Sequence, residues 1–182
     1  MSATVTVTLD LRDAFAGIDN LIAEFPEAAQ RALGRTLDST KVVMARAIAT
    51  DIGLPVGTVK DRIKTRVGNG YATLSVSAKR IPLIDFGARG PEPSRGRGRG
   101  VSYRLPTGRG RLESAFITTM PSGHRGVFMR LGAGRLPIVE RFGPSLGYVF
   151  MNHIEEGQAK AREALAKNIK SELRFALRRK TA

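Results

Sequence analysis

The chain has no cysteine and no tryptophan, and only three tyrosines and eight phenylalanines among its 182 residues. Without cysteine it can form no disulfide, no thiolate metal site and no cysteine nucleophile. Sparse aromatic residues disfavour nucleic-acid binding by base stacking, which needs aromatic platforms. A chain of this length can instead rely on an apolar core, because it is long enough to bury one without covalent staples.

Long apolar runs are also lacking. No stretch approaches the roughly 20 apolar residues that a transmembrane helix needs. The opening residues, MSATVTVTLD, contain no basic stretch followed by an apolar one, so we expect no signal peptide. The length favours a single domain over residues 1–182, and the protein is expected to be soluble and made in a cytoplasm.

Acidic residues are few, 16 against 30 lysines and arginines, which gives a net charge of +14. The excess is uneven: residues 1–78 carry a net +1, residues 79–141 a net +9 and residues 142–182 a net +4. A positive field of this kind attracts polyanions, meaning nucleic acid or an acidic protein surface.

Apolar periodicity predicts the elements of the first third of the chain. Thr4–Leu9 alternates as a half-buried strand does, and Ala14–Glu24 fits a helix. A longer helix is expected over Pro26–Asp51, with Pro26 in its first turn and Gly53 and Pro55 ending it. A short third helix, Val56–Ile63, would turn Val56, Val59 and Ile63 inward.

The period then changes to that of strands. Tyr71–Ala78 alternates after a turn at Gly68–Gly70, and Ile81–Phe86 is an apolar run in which Pro82 favours a sheet edge. Further on, Ala115–Met120 and Gly126–Leu131 flank the turn Pro121-Ser122-Gly123, and a third strand follows from Leu136.

The C-terminal part predicts an amphipathic helix over about His153–Arg179. Its apolar stripe comprises Ala161, Leu165, Ile169, Leu173 and Ala176, and its basic face comprises Lys160, Lys167, Lys170, Arg174 and Arg178. The predicted fold is therefore α+β, with a helical N-terminal half, a central antiparallel β-sheet and this C-terminal helix.

Gly87–Arg111 differs from the rest, with seven glycines and seven arginines in 25 residues. We expect a long flexible loop or hairpin tip, with a strand inside it over Val101–Leu105. One interpretation is that its arginines contact phosphates without base specificity; the other is a solvated loop, or an arm that orders against acidic subunits. The sequence leaves both open.

The sequence predicts no catalytic centre. His124 lies in a turn beside Arg125, and His153 precedes two glutamates at a helix start, so neither belongs to a convincing zinc ligand set. Ser122 is in P-S-G rather than G-x-S-x-G, which argues against a serine hydrolase. We therefore expect structural roles for both histidines.

Neither a nuclease nor a nucleotide-binding enzyme is predicted. Asp85, Glu113 and Glu140 are scattered among arginines, which favours ion pairing over a metal cluster. The glycines of 96–100 do not separate a clear strand from a helix, and no G-K-S/T follows them. We expect no enzymatic activity, no metal and no cofactor.

Three segments resemble the prophage minor tail protein Z family. Ala115–Glu140 reads AFITTMPSGHRGVFMRLGAGRLPIVE, which is similar to the family's G-A-F-I, P-S-G, G-V-F and G-R-x-P-I-V patterns, with Ser114 in place of the first glycine. RIPLIDFGARG, Arg80–Gly90, and DIGLPVGTVKDRIK, Asp51–Lys64, look like two further segments of that family. The long arginine-glycine tract departs from its pattern.

The resemblance implies a structural minor tail protein that completes the head-proximal end of a long phage tail, at the neck, and takes part in head–tail joining. It further implies a ring of copies, a hexamer to match the tail tube, around the DNA channel. Expected partners are further copies of the chain, the tail terminator, tail tube, head–tail connector and tape measure proteins, and the DNA backbone, with no membrane. The location would be the virion, after assembly in the host cytoplasm.

An alternative is a free nucleic-acid-binding protein without sequence specificity. In either case the arginines expected to contact DNA or a partner are Arg89, Arg95, Arg97, Arg99, Arg104, Arg109, Arg111, Arg125, Arg130 and Arg135. The basic face of the C-terminal helix is a further expected contact.

Overall fold

The fold is known from a computed structural model that describes residues 25–68, 71–92, 100–132, 134 and 136–180. The strand and helix predicted within residues 4–24 lie outside these residues. Within them the elements are helices α1 (Pro26–Ile52) and α2 (Val56–Arg62), strands β1 (Ile63–Gly68), β2 (Tyr71–Val76) and β3 (Arg80–Pro82), a 3₁₀ turn (Leu83–Phe86), strands β4 (Val101–Leu105), β5 (Gly108–Leu112), β6 (Ala115–Thr119), β7 (Arg125–Arg130), β8 (Ile138–Glu140) and β9 (Phe142–Ser145), and helices α3 (Leu146–Asn152) and α4 (Ile154–Lys180).

Helix α1 confirms the predicted long helix and its signals. Pro26 occupies the first turn, where its missing N–H costs nothing. Gly53 ends the helix in the left-handed conformation, φ 74°, and its N–H donates to the carbonyl of Ala49 at 2.8 Å. A side chain at Gly53 would also meet Pro106 of the β4–β5 turn at 2.9 Å. Glycine is thus required there for two independent reasons.

Helices α1 and α4 pack antiparallel. Arg31 near the start of α1 contacts Glu172 near the end of α4, and Asn168 donates to Thr36 at 3.0 Å. At the other end of the pair, Gly157 lies against Met44. These contacts run in opposite directions along the two helices, as an antiparallel pair requires.

The predicted third helix needs correction at its end, and the strand that follows it, β1, was not predicted. The helix α2 stops at Arg62, and Ile63 begins β1 instead of ending the helix. Val59 and Ile63 are buried as expected, but Val56 is 41% exposed. Ile63, Thr65 and Val67 alternate with Lys64 and Arg66, so the period of a strand was present in the sequence.

The strands form four small antiparallel sheets: β1–β2, β3–β9, β4–β5 and β6–β7–β8. The α+β class is confirmed, although the strands are divided among these sheets and do not form one central sheet. Each sheet sends at least one side chain to a shared apolar core with α1 and α4. These side chains include Leu74, Ile81, Val101 and Val127.

Several boundaries differ from the predicted ones. The strand predicted over Tyr71–Ala78 ends at Val76, and the run Ile81–Phe86 is a strand only as far as Pro82 before the 3₁₀ turn. Of the two alternatives for 87–111, a loop or a hairpin tip, the structure shows a hairpin, β4–β5, in the second half of the segment. The strand expected at Val101–Leu105 is confirmed, whereas β1, β5, β9 and α3 were not predicted.

The hairpin and third strand of the segment that resembles the tail protein family are confirmed as β6, β7 and β8. Helix α4 confirms the predicted C-terminal helix, beginning at Ile154. No single helix in the described part of the chain is long and apolar enough to cross a membrane; α1 and α2, bent by 120°, reach that length and composition only as a pair.

Candidate functional site

The β4–β5 hairpin gathers three of the expected arginines on one face. Arg104 is directly opposite Arg109, and Ser102 is directly opposite Arg111. Residues opposite each other in an antiparallel pair project to the same side, as do residues two apart along a strand. The side chains of Arg104, Arg109 and Arg111 therefore share a face with Ser102, and all of these residues are exposed.

Arg89 joins this face through the backbone. Its N–H donates to the carbonyl of Ser102, and the N–H of Ser102 donates to its carbonyl, both at 2.8 Å. This pairing is an antiparallel bridge, so the Arg89 side chain projects to the same side as that of Ser102. We call the set Arg89, Arg104, Arg109 and Arg111 the arginine face.

The opposite face of the hairpin packs against the apolar core and attaches the hairpin to it. Val101 is fully buried, and Tyr103, Leu105 and Leu112 pack half-buried against the core cluster. Gly110 has the Tyr103 ring directly over it, where a larger residue would collide with the ring. One side of the hairpin is therefore anchored by apolar contact while the other is left cationic.

An open cleft of about 590 Å³ runs beside the arginine face. Arg89, Arg104 and Arg109 line it, and in the described chain none of these three forms an ion pair. The carboxylate of Asp85 also lines the cleft, but Arg62 already binds it at 2.7 Å. The cleft therefore carries a net positive charge.

Two further described arginines that were expected to contact DNA or a partner, Arg125 and Arg130, are placed differently. Arg125 and Arg130 are five residues apart on β7, so their side chains leave opposite faces of the strand. Arg125 pairs with Glu92 at 3.6 Å, and Arg130 lies 5.2 Å from the centre of the Phe116 ring. The structure does not bring these two together with the arginine face. Arg95, Arg97, Arg99 and Arg135 lie outside the described residues.

The basic face of α4 is exposed as predicted, while Ala161 and Leu165 on the other side are fully buried. Lys160 pairs with Glu163 at 3.2 Å. Lys167, Lys170 and the arginines at 174 and 178 border a shallow cleft of about 520 Å³.

Both histidines bind carboxylates. Nε2 of His124 lies 2.8 Å from Oε1 of Glu140, and Nε2 of His153 lies 2.8 Å from Oδ2 of Asp51. His153 thereby ties the start of α4 to the end of α1. Across the described ranges no group of three or more His, Asp or Glu could hold a metal ion.

Glu172 was not predicted as a buried residue, yet it is only 4% exposed and lies within the apolar stripe of α4. It accepts from Nε of Arg31 at 2.8 Å and pairs with Nη1 of Arg35 at 2.9 Å. The hydrogen bond to this carboxylate is the main cause that raises the pKa of Arg31 above its ordinary value. The signal was available, because Glu172 is seven residues after Leu165 and so lies on the same face of the helix.

The fold and the site together define an α+β protein in which four exposed arginines lie on one side of a small hairpin. The chain belongs to the family described as prophage minor tail protein Z (GPZ), whose model matches residues 10–182. It is thus a structural protein of a phage tail and a component of the virion. No curated protein and no solved structure matches it significantly.

Proposed function

We propose that the protein completes the head-proximal end of the tail and takes part in joining tail to head, as a closed ring of copies around the DNA channel. It acts without catalysis, by contact with its neighbours and with DNA. Membership of the tail protein family supports the tail role. The arginine face is the observation that carries the part concerning DNA.

A closed ring would repeat the arginine face once for each copy of the chain. Identical subunits closed by head-to-tail contacts repeat the same surface at each position. In a hexamer the arginine face would appear six times, and the guanidinium groups would meet the phosphates of a passing or resting duplex. Contacts of this kind hold the backbone and read no sequence. The tail terminator, tail tube, connector and tape measure proteins would be the protein neighbours.

The proposal is tested by deleting the reading frame from the phage and imaging the particles by negative stain. We expect full heads and tails that remain separate, or tails whose head-proximal ends are irregular. Joined, infectious particles in normal number would refute the role in completion and joining.

The contribution of the arginine face is tested by complementing the deletion with Arg104→Ser/Arg109→Ser. We expect tails that are completed but retain DNA poorly, seen as a lower yield of infectious particles. The matched control is Lys60→Ser/Arg162→Ser, which removes the same charge from two exposed positions outside the arginine face. An equal loss in both variants would assign the effect to net charge instead of to this face.

The second candidate is a free nucleic-acid-binding protein without sequence preference. It is favoured by the same exposed arginines, since a basic surface binds DNA in any context. A gel shift by the isolated protein at low salt, weakened by Arg104→Ser/Arg109→Ser, would support it. No shift even at low salt would dismiss it.

A further inference from the structure

A second cleft, of about 750 Å³, combines an apolar floor with a cationic rim. Its floor contains Pro82, Phe142 and Leu146, and its rim includes Lys64, Lys79 and Arg80. We call it the β3–β9 groove. None of these residues belongs to the arginine face or to the basic face of α4.

The floor is apolar, accessible and held in place. Phe142 is directly opposite Pro82 in the β3–β9 pair, so the two side chains lie on the same side, and Phe142 is 45% exposed. The Oγ of Ser145 donates to the carbonyl of Ala78 at 2.8 Å, and Gly143 lies directly against the Phe86 ring. The groove therefore presents a fixed site for an apolar side chain.

The rim is positive. Lys64, Lys79 and Arg80 are exposed, and none of the three is ion-paired with a described residue. Arg62 also lines the groove, but its charge is matched by Asp85 at 2.7 Å. Asp61 supplies one carboxylate against the three cations.

We propose that the β3–β9 groove binds an acidic segment of another protein, which packs an aliphatic or aromatic side chain onto the apolar surface formed by Pro82 and Phe142. Carboxylates that flank this side chain would pair with Lys64, Lys79 and Arg80. The proposal names a partner surface that is separate from the DNA contact proposed above, and it holds whether or not the protein joins heads to tails.

Two other occupants fit less well. The phosphates of a nucleic-acid backbone would pair with the cations of the rim. They would also cover Phe142 and Pro82, and charged phosphates make no favourable contact with an apolar surface. A second copy of the chain has 30 lysines and arginines against 16 acidic residues, so it offers little acidic surface to this cationic rim, and the contacts between copies in a ring would use other surfaces. An acidic peptide with an apolar anchor satisfies both the floor and the rim.

The test measures fluorescence anisotropy of a labelled acidic peptide with a central Leu-Phe pair, titrated with the full-length protein at physiological salt. The comparison probes are the same peptide with Ser-Ser at its centre and a short labelled DNA duplex. We expect the Leu-Phe peptide to bind at least about tenfold more tightly than the Ser-Ser peptide.

Two variants locate the binding. Phe142→Ser and Lys79→Glu/Arg80→Glu should each weaken the Leu-Phe peptide about tenfold. The control Arg104→Glu/Arg109→Glu makes the same charge change on the arginine face and should leave peptide binding unaltered. Thermal unfolding verifies that each variant is folded. If Phe142→Ser does not fold, Lys79→Glu/Arg80→Glu still tests the proposal, because it alters only exposed side chains.

Several outcomes would overturn the proposal. These are no binding of the Leu-Phe peptide, equal binding of the Ser-Ser peptide, and equal weakening by the control variant. DNA binding that depends on Phe142 would assign the groove to nucleic acid. A sedimenting dimer that is lost in Phe142→Ser would assign it to a second copy.

Discussion

The helical pair α1–α4 and the β4–β5 hairpin use arginine in opposite ways. In the pair, Arg31 and Arg35 both bind Glu172, whose side chain is 5% exposed. On the hairpin, Arg104 and Arg109 are directly opposite each other and have no ion-pair partner in the described chain. The first arrangement satisfies a buried charge, whereas the second accumulates charge that no carboxylate of the described residues pairs with.

This difference separates stability from binding. Removing a group from the helical pair should destabilise the fold, because its neighbours lose a packed or charged partner. Removing an arginine from the hairpin should leave the fold unchanged, because the hairpin is held by Val101 and Tyr103 on its other face.

The largest effect is expected from Leu165→Ala, which leaves a cavity where α4 packs on α1. Leu165 is fully buried, so the substitution should lower the free energy of unfolding by about 2–5 kcal/mol. Leu177 on the same helix is 51% exposed, and Leu177→Ala should cost about 0.5 kcal/mol or less. Urea denaturation measures both, and equal losses would contradict the assigned faces of α4.

Glu172→Gln probes the buried charge of the pair. The amide keeps the shape of the carboxylate but loses its charge, so the hydrogen bond from Arg31 and the ion pair with Arg35 both weaken. We expect the free energy of unfolding to fall by about 1–3 kcal/mol.

The control for this variant is Glu163→Gln, which makes the same change on the same helix at a side chain that is 75% exposed. An exposed pair such as Lys160–Glu163 contributes about 0–1 kcal/mol, so the control should be nearly neutral. If Glu172→Gln were equally neutral, the buried carboxylate would not hold the helices together.

Arg104→Ala/Arg109→Ala should have the opposite effect to Glu172→Gln, because it should weaken binding and leave stability nearly unchanged. Stability should change by about 0.5 kcal/mol or less, since neither side chain has a described partner to lose. If the face contacts DNA as proposed, the dependence of log binding constant on log salt should flatten by about 0.9 for each phosphate contact removed. Filter binding at several salt concentrations measures the slope. A destabilised variant with an unchanged slope would contradict the claim that these arginines serve binding and not stability.

The helices could be predicted because their signals are long and local. Both α1 and α4 carry apolar stripes over many turns, and α1 has proline at its start and glycine at its end. The strand β5 could not be recognised in this way. Its sequence GRGRL has glycine at 108 and 110, where apolar residues would complete the alternation, and Tyr103 of the neighbouring strand fills the space over Gly110.

The sequence predicted that arginines form the candidate site, but it did not predict how they are arranged. The arginines were visible as a local excess of charge, yet their common face depends on the register of β4 with β5 and on the bridge from Arg89 to Ser102. Such pairings join residues distant in sequence, which no local period encodes. The β3–β9 groove could not be predicted for the same reason, since Pro82 and Phe142 are brought together only by the pairing of strands β3 and β9.

The smallest effect is expected at Thr40, which is 1% exposed and whose hydroxyl has no hydrogen-bond partner among the described residues. Thr36, one turn earlier on α1, is buried too, but its hydroxyl donates to the Ala32 carbonyl at 2.8 Å and accepts from Asn168 at 3.0 Å. Valine has nearly the shape of threonine and removes only the hydroxyl. Thr40→Val should therefore be neutral or slightly stabilising, while Thr36→Val leaves the Asn168 amide unpaired and should cost about 1–2 kcal/mol. Thermal and urea unfolding of the two variants compares them directly, and an equal loss would mean that the Thr40 hydroxyl is satisfied after all, by water between the helices.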